Sequence, residues 1–263
     1  MSVLYTNAIL SVRSARLLNN DRIRRMIASS DVVEATKILF ECGWDEQSIA
    51  NFRGNNDEII SAELKRITHE FKQLCPDPRL EEIILAKLAH LNSSDVDIAT
   101  TRDYYAEQLV RLGKLRNRAI TNYFKAEIDL LNMRTFGKLR LYGGKPDGFF
   151  VEGGTASEVD IMAIFGRDMG RIRPALSHLG YSALLDKLID GLTIGNLAEF
   201  ENASNAYLVK LSREGAEDSF KLNMLFGWFV AKLEELRIVK TILTGKKFGK
   251  SRDELRDGLK GVL

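Results

Sequence analysis

Apolar side chains recur along this chain at intervals of three and four, and Ser, Asp, Asn and Gly punctuate the runs, which is the pattern of amphipathic helices. No run shows period-two alternation with β-branched residues, so strands are not expected. The four prolines, Pro76, Pro78, Pro146 and Pro174, leave long stretches free of breakers. The spacing predicts helices over about residues 3–18, 22–28 (capped by Asn19-Asn20-Asp21), 32–40 (capped by Ser30-Asp31 and stopping at Gly43), 56–74 and 80–91, with Asn92-Ser93-Ser94-Asp95 as the next cap region. Two predicted helices are much longer, at about 103–139 and 217–243. A mean globular helix has roughly 11–12 residues, and one of about 25 to 35 spans about 40–50 Å at 1.5 Å per residue. Elements of that length suit an elongated scaffold better than a compact enzyme.

The two long helices resemble each other. Laying the segment from Tyr123 over the segment from Trp228, an offset of 105 residues, puts Phe124 on Phe229, Ala126 on Ala231, Ile128 on Leu233, Asp129 on Glu234 and Leu131 on Leu236. Each is followed by a polar loop and a capping-box pattern, Thr155 to Glu158 after the first and Ser251 to Glu254 after the second. In such a box a hydroxyl accepts the third helical amide while the Glu reaches back to the cap amide. Ser30-Asp31 and the helix behind it repeat the plan more loosely after the opening helix. Either the chain holds three copies of one unit, or it shows the general self-similarity of helical proteins; three copies would pack about a pseudo-symmetry axis and enclose a groove or funnel.

Composition narrows the class. Of 263 residues, 45% are hydrophobic and 28% charged, ordinary values for a folded protein. The net charge of +2, from 38 basic and 36 acidic side chains, lacks the basic excess of a nucleic-acid binder. Cys42 and Cys75 lie far apart with no CxxC spacing, so they read as reduced thiols rather than zinc ligands. The N-terminus lacks the basic region of a secretory signal, and the most apolar run, residues 222–231, is half of the roughly 20 residues that a bilayer-spanning helix needs. No direct membrane insertion is expected, and any attachment would go through a partner.

Three stretches carry a family resemblance. Ile128-Asp129-Leu130-Leu131-Asn132-Met133-Arg134-Thr135, with Arg140 beyond it, is similar to the "IDxxNxxT…R" stretch of the C-subunit family of V/A-type ATPases, which includes the d subunit of the vacuolar enzyme. Gly153-Gly154-Thr155 resembles that family's "GG" loop before a short helix. Glu234-Glu235-Leu236-Arg237, then Gly245-Lys246-Lys247 and Leu255-Arg256, resembles its C-terminal signature, with Leu236 where Asn usually stands. The resemblance covers about residues 103–263. It implies an all-α fold, a single domain over 1–263 with internal repeats at about 1–100, 101–200 and 201–263. The three related subdomains would form a cone or funnel of pseudo-threefold symmetry. It implies a non-catalytic member of the central rotor, cytoplasmic and peripheral on the membrane. Its partners would be the D/F-type central-stalk subunits and the membrane rotor ring, with no nucleic acid and no cofactor.

Reacting groups are sparse. The segment from Gly245 to Ser251 only superficially resembles a phosphate loop: its glycine spacing is wrong and it follows a helix rather than a strand. His69, His90 and His178 have no second ligand at metal spacing, so no catalytic or metal site is expected. The candidates are structural or interaction residues. Asp129, Asn132 and Arg134 form either a polar network that fixes packing or a set of solvated charges. Glu234 and Arg237, at i and i+3, can pair on one face. Gly153 and Gly154 supply backbone freedom, and Arg140, Lys246 and Lys247 complete the set. Lys145, Lys246, Lys247 and Lys250 read as a docking surface or as ordinary solubility charges.

Overall fold

Side-chain caps set most of the helix boundaries. The computed structural model describes residues 2–93, 97–166, 168–214 and 222–262, and every regular element among them is helical. Helix α1 (Val3–Ser14) follows Ser2, whose hydroxyl accepts the Tyr5 amide. Asn19 caps α2 (Asn20–Ala28) through the Arg22 amide at 2.9 Å, and Asp31 caps α3 (Val32–Lys37) through the Glu34 amide at 2.8 Å. A 3-10 segment, Ile38–Cys42, continues α3 to Gly43, and the short α4 (Glu46–Ala50) precedes α5 (Asn56–Leu74). Pro78 opens α6 (Pro78–Asn92), where its missing N–H costs nothing. Then come α7 (Ile98–Leu115), α8 (Arg118–Tyr142), α9 (Glu158–Phe165), α10 (Ile172–Leu176), α11 (Ser182–Ile194), α12 (Ala198–Ser212), α13 (Asn223–Lys247) and α14 (Arg252–Gly258).

The chain divides into two compact units, Met1–Asp77 with Ser212–Leu263, and Pro78–Leu211. In the first, α13 is the central helix and packs on α5, α1 and α3. Its buried face carries Phe226, Phe229, Val239, Ile242 and Leu243, and the Phe229 ring meets Phe71 of α5 edge-on at 5.3 Å. In the second, α8 packs on α7, α9 and α11, burying Phe124, Ile128, Met133 and Phe136. Each such side chain contributes about 1.5–3 kcal/mol on leaving water, so the two 25-residue helices anchor their units.

Several boundaries differ from the sequence expectation. The single helix expected over 103–139 is two helices. Arg116 adopts φ +53°, returning its amide to the Leu112 carbonyl, and the Asn117 side chain accepts the Ala119 and Ile120 amides to start α8. The opening helix stops at Ser14 rather than residue 18, and the short α4 lies between the expected stop at Gly43 and the helix expected from residue 56. The cap of α9 is Ser157 with Asp160, not Thr155 with Glu158. The last long helix runs past residue 243 to Lys247, so Gly245-Lys246-Lys247 is helical rather than loop. The capping box of Ser251 and Glu254 is present as expected. The first residues of the helix expected over 217–243, and Ser94-Asp95 of the expected cap region, lie outside the described residues; Asp97 caps α7.

Candidate functional site

In the unit built on α8, two of the residue stretches singled out by sequence meet. Asp129 and Asn132 are fully buried, one turn apart on α8. Asn132 forms a two-way bond with the Val151 backbone: its Nδ2 donates to the carbonyl at 2.8 Å and its Oδ1 accepts the amide at 2.9 Å. Asp129 Oδ1 accepts the Thr155 and Ala156 amides at 2.8 and 2.9 Å, and Oδ2 accepts the Tyr181 hydroxyl at 3.0 Å. Between these two grips lie Gly153 and Gly154. Gly153 has φ +102°, and a Cβ on Gly154 would fall 2.1 Å from Asp129 Oδ1. The glycines therefore let the loop come close enough for buried side chains to replace water at its amides.

Asp129 and Asn132 are thus buried and hydrogen-bonded to the loop backbone and to Tyr181. Burial pushes the Asp129 carboxyl above the usual aspartate range, against the Ala156 amide, the Tyr181 hydroxyl and the Thr155 amide, which pull it down. Arg140 donates to the Ile164 carbonyl at 2.7 Å, satisfying the last turn of α9. Arg134 lies on another face of α8 and takes no part in this clamp.

In the other unit the charged residues of α13 form a second network. Glu234 and Arg237 pair through two bonds of 2.7 and 2.8 Å on a half-buried face, as their spacing suggests. Glu235, its neighbour, is buried. Its Oε1 accepts the Lys232 ammonium and the Trp44 indole, both at 2.6 Å, and its Oε2 accepts the Leu18 amide at 2.7 Å. Lys232 also lies 3.7 Å from Glu63, and the chain of charges continues through Arg66 and Glu70 to Arg13. Sequence reading missed Lys232 and Glu63, and placed Glu235 in a signature without a role of its own. The available signal was a Lys inside the most apolar helix with a Glu at i+3.

Lys246 is tied inward. Its ammonium donates to the Ile27 and Ser29 carbonyls at 3.1 and 2.7 Å, at the C-terminal end of α2 where the helix dipole favours a cation. Lys247, Lys250 and Lys145 are exposed. Among the described residues no three His, Cys, Asp or Glu side chains converge as metal ligands, and no helix is long and apolar enough to cross a membrane.

Fold and site together define an all-α protein whose buried polar side chains brace backbone segments and neighbouring helices. The ATP synthase (C/AC39) subunit family matches residues 80–258, about two thirds of the chain, and the chain belongs to that family. It is similar to the A-type ATP synthase C subunit of Haloquadratum walsbyi, 24% identical over 163 residues, which are 60% of this chain and 47% of that protein. The V-type ATP synthase C subunit of Thermus thermophilus is 27% identical over 161 residues, 58% of this chain and 46% of that protein. The chain spans about half the length of the curated relatives it matches.

Proposed function

We propose that this protein is a non-catalytic part of the central rotor of a V/A-type ATPase. In that reading it joins the D/F-type central stalk to the membrane rotor ring, so that rotation passes between ATP turnover and proton or sodium transport. It would sit in the cytoplasm, held peripherally at the membrane by the ring. The family match over residues 80–258 carries this reading. It also argues against the alternative, a helical adaptor unrelated to ATPases.

The mechanical part of the role needs stiffness rather than reacting groups, because packed interiors transmit strain. The buried clamp of Asp129 and Asn132, the Glu235 network and the inward tie of Lys246 would all oppose bending of their helices. Docking would fall to exposed groups such as Lys145, Lys247 and Lys250.

A cone of three related subdomains, at about 1–100, 101–200 and 201–263, is part of the proposal. Two features support the repeat. Helices α8 and α13 have the same length and start 105 residues apart, each preceding a helix opened by a serine capping box. In that register Glu127 of α8 corresponds to Lys232 of α13. Glu127 is paired with Lys87 of α6, and Lys232 lies beside Glu63 of α5, so the charges are exchanged.

Affinity purification of the intact complex in mild detergent tests the role, combined with deletion of the gene. Stalk and ring proteins should co-purify, and deletion should leave ATP binding at the catalytic subunits while abolishing ion pumping. Normal pumping after deletion would refute the coupling role.

A further inference from the structure

The unit built on α8 also holds a cavity that the coupling role does not use. It has a volume of about 330 Å³, at the small end of the range for ligand pockets, roughly 300–1,000 Å³. Each wall is one helical face. Helix α8 presents Glu127, Leu130, Leu131 and Arg134, and α12 presents Glu201, Ser204, Asn205 and Leu208, in both cases at i, i+3, i+4 and i+7. Helix α7 adds Tyr104, and α6 adds Lys87 and His90. Faces that four helices turn towards one point are ordinarily apolar, yet ten of the fifteen lining residues are polar.

The polar groups do not all satisfy one another. Lys87 is buried; it pairs with Glu127 Oε1, which also accepts the Tyr123 hydroxyl at 3.2 Å. Glu127 Oε2 is buried outside hydrogen-bonding geometry with any described residue, and the Tyr105 hydroxyl lies beside the same carboxylate. The Tyr104 side chain is 9% exposed and stacked on His90 at 4.2 Å. Its hydroxyl lies beside Gln108 outside hydrogen-bonding geometry and has no partner among the described residues. Arg134 makes no ion pair or hydrogen bond with any described residue.

Three of the four charged side chains of the lining have an ion-pair partner. Lys87 pairs with Glu127, and Glu201 pairs at 2.6 Å with Lys138 from outside the lining, while burial and then the charge of Lys87 lower the His90 pKa. Among the described lining residues, that leaves the Arg134 guanidinium as the charged group without an ion-pair partner. An unpaired guanidinium fork, an unpartnered buried hydroxyl and an unpartnered carboxylate oxygen call for an anion of one charge that also carries hydroxyl donors.

We propose that this cavity binds a small polyhydroxylated monocarboxylate, its carboxylate on Arg134 and its hydroxyls on Tyr104 and Glu127 Oε2. Sugar acids are the matching chemical class. Gluconate is the probe, with sorbitol (the polyol without the charge) and acetate (the charge without the hydroxyls) as controls. Thermal unfolding of the full chain should shift upward with gluconate in the millimolar range and show no matching shift with either control at equal ionic strength. Arg134→Gln should remove the shift. Arg134→Lys should weaken binding about tenfold, because a single ammonium cannot replace the bidentate fork. Tyr104→Phe should weaken it about fivefold, the loss of one hydrogen bond worth ~1 kcal/mol. Circular dichroism of each variant without solute checks its fold, and if R134Q misfolds, R134K carries the test. No gluconate shift in the parent protein, equal shifts with sorbitol, or unchanged affinity in R134Q or R134K would overturn the proposal.

Discussion

The Trp44 indole donates to Glu235 Oε1 at 2.6 Å across 191 residues of sequence. Together with the Leu18 amide on the other carboxylate oxygen, this bond ties the N-terminal segment to α13 through one buried carboxylate. The charge of Glu235 is balanced by Lys232, which is also buried and also faces Glu63. Lys232→Met therefore leaves two carboxylates in a low-dielectric interior with too little positive charge. Removing one partner of a buried pair costs ~3–5 kcal/mol, and urea unfolding of K232M should show a loss of that order. Adding Glu235→Gln should then cost much less than it does alone, with a coupling above ~1 kcal/mol. Strictly additive losses would mean that the two residues do not sense each other.

Asp129 makes a different prediction, because it holds a loop rather than a counter-charge. Asp129→Ala strips partners from two amides and a tyrosine hydroxyl, and each orphaned buried group costs ~1–3 kcal/mol. Asp129→Asn keeps an acceptor oxygen for the Thr155 and Ala156 amides and should cost far less. The two variants should differ by several kcal/mol in chemical denaturation; equal losses would show that the charge, not the acceptor geometry, matters.

The same side chain sets a pH dependence. Its folded pKa lies above the ordinary aspartate value, so the folded state holds the proton more tightly than the unfolded chain does. Its contribution to stability is thus complete below the usual aspartate pKa of ~3.9 and is lost as pH rises through the higher folded value. Caps such as Asp31, Asp97 and Asp160 act with the opposite sign: amide and hydroxyl bonds hold their pKa values down, and their contribution disappears as pH falls. Those caps remain in D129N. The stability of D129N relative to the parent should therefore improve as pH rises from about 4. A pH-independent difference between the two proteins would remove the argument.

Much of this architecture is legible in the amino-acid order. Asn19, Asp31 and Ser251 announce their helices because a short polar side chain before an apolar period has an orphan amide to satisfy. The break at Arg116 is not legible, because nothing about an arginine signals a left-handed residue; only Asn117 behind it hints at a cap. The importance of Asp129, Asn132 and the Gly153-Gly154 pair is visible as a motif, but their meeting is a tertiary fact. Val151 and Tyr181, the partners that give those residues their roles, carry no local signature at all. Lys246 shows the reverse error: a lysine after an apolar helix reads as a surface charge, yet its long stem reaches the carbonyl end of α2.

Gly154→Ala tests the loop approach from the other side. The added methyl would fall 2.1 Å from Asp129 Oδ1 and 3.3 Å from the Asp129 amide nitrogen. Side chain or loop must move, and overpacking of this kind costs ~1–3 kcal/mol before the lost hydrogen bonds are counted. In an Asp129→Ala background the clashing oxygen is gone, so the same glycine substitution should cost less than ~1 kcal/mol. Equal costs in both backgrounds, measured by equilibrium unfolding, would place the strain elsewhere than at the carboxylate.

The two thiols provide a readout of local opening in the unit built on α13. Cys42 is buried, and its pKa is pushed up to about 12, first by burial and then by the negative charge of Glu235. At pH 8 the native Cys42 is almost entirely protonated and shielded, so a disulfide reagent must wait for an opening event. Cys75 is half-buried at the end of α5, with its Sγ 3.2 Å from the Asp77 carbonyl. Native protein should therefore show one fast thiol, Cys75, and one slow one. Cys75→Ser should abolish the fast phase and Cys42→Ser the slow one. Because Lys232→Met weakens the network beside Cys42, it should speed the slow phase by about tenfold for each 1.4 kcal/mol lost, leaving the fast phase unchanged. Slow-phase rates equal in the parent and K232M would show that Cys42 is released by a local motion independent of the buried charges.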